Sequence, residues 1–563
     1  MKKEWKMLAG FDPNSIEDLS GAREASFMVL NLVEDLKAEN EQLRKENQGQ
    51  RDEINRLKGE NGKPLILPNQ KKKETVDHSS EVERKKLRRR QKTPQPRPKR
   101  SKVAQIKIDR EVKLPVSPDQ LPKDAIFKGY QPVVVQDIKI LSDNIRFQKE
   151  KYYSPSLGVT TLAELPPGYE GEFGPGVKSL AIVLYFSTNC SEPKIRELFS
   201  HAGVQISEGQ LSNFLIKDQQ RFHAEKEAIY LAGLQSSPWQ HLDDTGTRVN
   251  GQNQYCHIVC NPLHTAYFTT EHKDRLTILD GLRNFQQRTY QLNTQALKFL
   301  SSFRLPQRVI QQLSAFPSEQ VFSEIEFLSL LDKHLPSLGP IQHQHVLQAA
   351  AIAEYHAHSE CPKVRLLICD DAPQFKLITQ ELQLCWIHEG RHYKKLTPFV
   401  DYHRQLLEAF REKFWDFYDQ LLGFRQYPSP SERERLCEEF DIIFSTTTGY
   451  DALDERIAKT KAKKINLLMV LSHPEIPLHN NPAELAARQR VRKRDVSFGP
   501  RTRDGTKAWD TFMSLAETAK KLGVNFIAYI HDRMSGAMQM PALAEIISQR
   551  AKERQLGGSW ETM

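Results

Sequence analysis

The stretch from Trp239 to Glu271 constrains the fold of this chain more than any other. WQHLDDTGTRV, QYCHIVC and TAYFTTE are three strand-like runs, and Asn261-Pro262-Leu263-His264 places a turn between the last two. Their succession predicts an antiparallel meander. Far downstream, Val364 to Cys369 (VRLLIC) is a short apolar run of the kind that forms a strand buried on both faces, and it ends in Asp370-Asp371. The rest of the chain reads mainly as helix, so the fold class expected is mixed α/β. At 563 residues the chain exceeds what one hydrophobic core usually supports.

Around this block the sequence changes character several times. Residues 29 to 57 fit a heptad, with Val29, Leu36, Leu43, Gln50 and Leu57 at one seam position and Val33, Asn40, Asn47 and Ile54 at the other. The expectation is an N-terminal helix and coiled coil over residues 1–60, whose seam asparagines favour an in-register dimer. A single amphipathic helix docked on the body is the alternative. Residues 61–113 are rich in Pro, Lys and Arg and too poor in apolar residues to fold alone. Helical sequence begins near Val177, and Glu192 to Leu215 reads as helix, a turn at Ala202-Gly203-Val204, then a second helix capped by Ser207. That pattern suits a helix-turn-helix and equally any helical hairpin with a glycine turn.

Charge is unevenly placed. Residues 71 to 113 hold 17 Lys and Arg against six Asp and Glu, which exceeds the net +9 of the whole chain. A polycation of this kind binds phosphate backbones by counterion release, which points to nucleic acid; a solvated linker is the plainer reading. Seven scattered cysteines argue against a disulfide framework and for a reducing, cytoplasmic setting. The longest apolar run, Leu180 to Phe186, is far short of the roughly 20 residues that cross a bilayer. No membrane partner and no secretory signal are expected.

Three acidic positions stand at element ends: Asp243 or Asp244 on the first strand, Asp370 or Asp371 at the tip of the buried strand, and Glu484 in LHNNPAELAARQRVRKR. Each has an ordinary structural explanation. The two aspartate pairs suit turns, while Asn481, Pro482 and Glu484 suit a helix cap, its first residue and a capping box. Their order, however, is that of a ribonuclease-H-like domain, in which a meander strand, a central strand and a later helix bring three carboxylates together. Such a group suits phosphodiester chemistry, because two hard divalent ions bind carboxylate oxygens, activate a hydroxyl and stabilise a leaving oxygen.

The wording around the acids carries a resemblance. HLDDTGTRV, ICDDAPQF, LCWIHEGRHYKKL, HNNPAELAARQRVRKRDVSFG and SLAETAKKLGVNFIAYI resemble, in order, five motifs of transposases of the insertion sequence 66 family, from about Gly176 to Tyr529. The resemblance implies a ribonuclease-H-like catalytic core with helical insertions. It implies Asp243, Asp370 and Glu484 as the catalytic, metal-binding triad, holding two Mg2+ ions with Mn2+ as a substitute. It implies DNA as partner, at transposon ends and target, and a nucleoid-associated cytoplasmic enzyme acting as a homodimer or higher oligomer. On this reading residues 114–235 are a helical DNA-binding region, 236–535 the catalytic domain with insertions at about 274–360 and 401–460, and 536–563 a tail. Arg488, Arg490, Arg492, Lys493, Arg494, His388, Arg391, Arg88, Arg89 and Arg90 are the candidate DNA contacts. The chain departs from the family at Gly246, His479 and Leu485, where proline, aspartate and arginine are usual; Arg488 and Arg490 are possible substitutes for the last. Cys385 and His388 resemble half a zinc site without a second pair at ligand spacing. A catalytically inactive, transposase-derived DNA-binding protein and a scaffold built on the coiled coil are the rival readings.

Overall fold

The computed structural model describes residues 18–57, 107–117, 125–131, 133–358 and 362–561. Most of the basic segment, including Arg88, Arg89 and Arg90, lies outside the described residues. The chain separates into two units, one of residues 1–71, 149–196 and 207–563, the other of 72–148 and 197–206. In the smaller unit the Ser142 backbone N–H donates to the Ala202 carbonyl at 3.1 Å. Gly203 turns the chain there with φ +84°. The helices Glu192–His201 and Glu208–Ile216 flank that turn, and Ser207 caps the second by accepting from the Gln210 backbone N–H.

After its N-terminal helix, the larger unit continues with a short hairpin, β1 (Lys151–Ser154) and β2 (Val159–Leu162). Its centre is the meander expected from sequence: β3 (Trp239–Val249), β4 (Gln252–Cys260) and β5 (Thr265–Thr270), antiparallel throughout. The insertion that follows is mostly helical, but it also holds a small ribbon of β6 (Thr289–Gln291) and β7 (Val321–Ser323). Then β8 (Leu366–Cys369) returns to pair in parallel with β3, and β9 (Glu381–Leu384) pairs in parallel with β8. The mixed five-stranded sheet has the order β5-β4-β3-β8-β9. The second insertion is helical, as expected, with helices Asp401–Phe424, Pro430–Ile443 and Asp451–Lys461.

Side chains alternate between the two faces of a strand, so register assigns each residue a layer. Leu242, Val259, Ala266, Phe268, Leu367 and Cys369 face one core, shared with the helices of the first insertion. Leu366, Ile368 and Leu384 face a second core built with the helices of the second insertion. Cys256, Ile258, Cys260 and Tyr267 meet Ala483, Ala486 and Ala487 of the helix Asn481–Ser497 and Met513 of the helix Arg503–Lys521. β8 is thus buried on both faces. Residues 536–563, read from sequence as a tail, instead include the helix Leu543–Arg554. Beyond it, Trp560 stacks on His473 with ring centroids 3.7 Å apart.

The heptad segment forms one helix, Leu19–Leu57. Its first half docks on the rest of the larger unit through residues that lie off the seam. The Glu34 carboxylate accepts from the backbone N–H groups of Phe399 (2.5 Å) and Val400 (2.8 Å), at the start of the helix Asp401–Phe424. Asn31 does the equivalent at the helix Asp451–Lys461: its amide donates to the Gly449 carbonyl and its oxygen accepts from the Asp451 N–H. Helix starts leave backbone donors unpaired, so both polar residues satisfy groups that would otherwise be exposed or orphaned. The seam is left outside, with Val29, Leu36, Leu43 and Ile54 between 37% and 50% exposed. No coiled coil forms within the described chain. Glu34→Ala should cost about 1–3 kcal/mol and speed hydrogen exchange in residues 19–40. Unchanged protection of that helix would show that the dock does not depend on Glu34.

Candidate functional site

Register alone brings two of the three acids together. His241 on β3 pairs with Ile368 on β8 in parallel, and two residues further along each strand stand Asp243 and Asp370. Leu242 faces the first core, so Asp243 faces away from it, alongside its antiparallel partner Ile258. Asp370 continues the alternation of Leu366 and Ile368 onto the same side. The helix Asn481–Ser497 covers that side of β4, and Glu484 sits in its first turn, 8% exposed. Charge proximity is visible in the carboxyl of Asp243. Burial first, then Asp370 and Glu484, push it up to about 7, partly offset by the Asp244 backbone N–H, which Asp243 accepts at 2.9 Å.

The second member of each aspartate pair is directed elsewhere. Asp244 accepts from the Gln374 amide at 2.9 Å and stands 3.6 Å from the Lys273 ammonium. Asp371 is ion-paired with Lys376 (2.7 Å) and Lys463 (2.6 Å), which hold its carboxyl below the usual range despite burial. Asp370 accepts the Ala372 N–H at 3.1 Å, fixing the turn that follows β8.

The helix start around Glu484 differs from the sequence reading. The cap position is Asn480, not Asn481, and no side chain caps the helix; the capping box does not form. Asn480 instead ties three elements together. Its amide donates to the Leu242 carbonyl (2.7 Å), its oxygen bonds His241 Nδ1 (3.0 Å), and its backbone N–H points at Cys385 Sγ (3.3 Å). Glu484 is therefore free of the capping role, and its carboxylate meets the helix Trp386–Lys394. Arg391 donates to Glu484 Oε2 at 3.1 Å, and His388 Nδ1 lies 3.3 Å from Oε1. Burial is the main cause that lowers the His388 pKa, with Glu484 and Asp370 opposing and Arg391 reinforcing it.

The basic run of the Glu484 helix divides by helical phase. Arg488 is exposed, one turn beyond Glu484 and 3.8 Å from it. Arg492 is also exposed. Arg494 donates to the Gly246 carbonyl at 2.6 Å, beside a cleft lined by Arg248, Tyr255, Arg494 and Phe498. Arg490 and Lys493, read from sequence with the others as candidate DNA contacts, are buried and do not join that surface. Arg490, 1% exposed, is ion-paired with Asp510 at 3.0 Å and lies over the Trp509 ring. Lys493 is fully buried, with its ammonium 3.1 Å from the centroid of the Tyr185 ring. The sequence reading missed Asn480 as a clamp, and missed Lys273, Gln374 and Lys463 as the groups that engage the spare aspartates. Only the Asn-Asn doublet hinted at the first, and it looked like a cap.

No family model matches the chain. It is 32% identical over 321 residues to the uncharacterized protein y4jO of Sinorhizobium fredii, an alignment that takes in 57% of this chain and 99% of that protein. The chain belongs to the same family as that rhizobial protein.

The crowding of carboxylates has a measurable cost. The folded state holds the Asp243 proton to about 7 whereas the unfolded chain releases it near 3.8. The native state therefore binds more protons between those values, and its stability falls as pH rises through that window. Without divalent cations, Asp243→Asn should stabilise the protein at pH 8 by on the order of 2–4 kcal/mol and flatten the loss between pH 5 and 8. Identical pH profiles for variant and wild type in chelator would refute the charge crowding.

Proposed function

We propose that this chain is a DNA transposase with a ribonuclease-H-like catalytic domain, cutting at transposon ends and joining the freed 3′ hydroxyl to target DNA. The observation that carries the reading is the convergence of Asp243, Asp370 and Glu484 on one side of the sheet. The meander, the parallel neighbour with an acid at its tip and the covering helix with a glutamate support it, as do the five sequence motifs.

The donor set suits hard divalent cations. Three carboxylates are grouped where burial and mutual repulsion push one of them up to about 7, and a cation of Mg2+ or Mn2+ type would relieve that repulsion. When bound, such ions supply activation of the attacking hydroxyl and stabilisation of the leaving oxygen. Asp243, Asp370 and Glu484 would hold them. The protein's own contribution is placement: Asn480 fixes the strand against the helix that carries Glu484, and Asp244 and Asp371 are kept out of the group by their own partners. Arg391 and Arg488 border Glu484 where a phosphate would lie. Arg391 and Arg488 thereby offer the positive charge that Leu485 lacks. Arg492, Arg494 and Arg248 extend that charge along the surface toward the β3–β4 turn, and the basic segment 71–113 would add sequence-independent affinity.

DNA binding by Glu484→Gln should stay within about threefold of wild type, while Mg2+-dependent nicking of end-containing DNA falls at least about 100-fold. Nicking by the variant at the wild-type rate would overturn the catalytic assignment. Salt-sensitive binding by wild type with no nicking would favour the non-catalytic DNA-binding reading.

The exposed seam of the helix Leu19–Leu57 supports pairing with a second copy, because the face that docks on the body is a different one. Val29, Leu36, Leu43 and Ile54, exposed in the single chain, would gain burial in such a pair. Leu43→Lys should shift the protein from dimer to monomer in sedimentation at micromolar concentration, and a monomeric wild type would rule the pairing out.

A further inference from the structure

Cys385, His388 and Glu484 form a second group of ligand atoms beside the carboxylates. One ligand atom from each lies within 4.8 Å of the other two. The sequence showed only the Cys-x-x-His half; the third member comes from a helix almost a hundred residues away. We propose that these three side chains are a binding site for a thiophilic divalent cation of the Zn2+ class, with a fourth position open to water.

The donor types select the metal. A thiolate and an imidazole with one carboxylate match zinc or cobalt, and differ from the oxygen-only set of Asp243, Asp370 and Glu484. Two buried atoms point to a missing partner. Glu484 Oε1 and His388 Nδ1 face each other at 3.3 Å, yet neither makes a hydrogen bond, and the Glu484 side chain is 10% exposed. Cys385 stands at the start of the helix Trp386–Lys394, where the Asn480 N–H and the backbone N–H groups of Ile387 and His388 point at its sulfur. These donors offset only part of the burial and the Glu484 charge, which push the free thiol up to about 12, so the thiolate forms as a cation binds rather than before it.

Binding has a definite proton balance. The thiol gives its proton to solvent as sulfur joins the cation. His388 ligates through Nδ1 with its proton on Nε2, so Arg391, which now donates to that nitrogen at 3.1 Å, must turn away. Arg391 is 39% exposed at its side chain and has solvent to turn into. The incoming dication replaces the guanidinium charge beside Glu484. Cation binding does not rest on the proposed catalysis; where that proposal holds, occupancy withdraws Glu484 from the carboxylate group, and zinc becomes an inhibitor.

Cobalt substitution tests the site in the full-length protein. Adding Co2+ should give a thiolate-to-cobalt charge-transfer band and tetrahedral visible bands, both removed by equimolar Zn2+. Cys385→Ser should abolish the charge-transfer band, whereas Cys190→Ser and Cys437→Ser keep it. His388→Ala, at a partly exposed position, should weaken cobalt binding at least about tenfold with unchanged circular dichroism, which covers the case in which the cysteine variant misfolds. Absence of the band in wild type, or its persistence in Cys385→Ser, overturns the site. Mg2+-dependent nicking, measured separately without zinc or cobalt, reports on the catalytic proposal alone.

Discussion

The hydrogen bonds of Asn480 are the constraint on which the site depends. A buried side-chain amide that reaches both a carbonyl and an imidazole of one strand, while its backbone N–H addresses a thiol on another element, fixes three pieces of chain in one place. None of those bonds is worth more than about 1.5 kcal/mol alone. Their value lies in geometry. They hold β3, the start of the helix Trp386–Lys394 and the start of the helix Asn481–Ser497 in one arrangement, which sets Glu484 on the strand acids' side of the sheet, near enough for its charge to act on Asp243.

The paired aspartates show how a fold can offer two acids and commit one. Strand alternation sends Asp243 and Asp244 to opposite faces, and cations or amides on the far face engage the second. Asp371 is drawn off by two lysines from different elements. What remains is unfavourable for Asp243, which is buried with Asp370 and Glu484 as like-charged neighbours. Arg391 and His388 touch Glu484, but Asp243 has burial and like charge as its main neighbours, and its raised affinity for a proton records that imbalance.

Much of the sheet was legible because period-two patterning and turn residues are local signals. β3, β4, β5 and β8 could be read from sequence, and register then placed Asp243 beside Asp370. β9 was not legible: ELQL is four residues with no turn punctuation, and it becomes a strand by completing the edge beside β8. The basic run after Glu484 misled for a different reason. Ala483, Ala486, Ala487, Arg490 and Lys493 form one continuous buried stripe at helical spacing, but composition marks the last two as surface. Partners distant in sequence, Asp510 for Arg490 and the Tyr185 ring for Lys493, help to make their burial tolerable. The docking of the N-terminal helix was hidden similarly, since Asn31 and Glu34 look like solvent-facing residues until two helix starts meet them.

That docking also sets a length scale. Glu34 is anchored, and the helix runs unbroken to Leu57, about 35 Å further at 1.5 Å per residue. The helix is therefore a strut: its root is fixed by two polar plugs, and its tip stands clear of the anchor by more than the width of a DNA duplex.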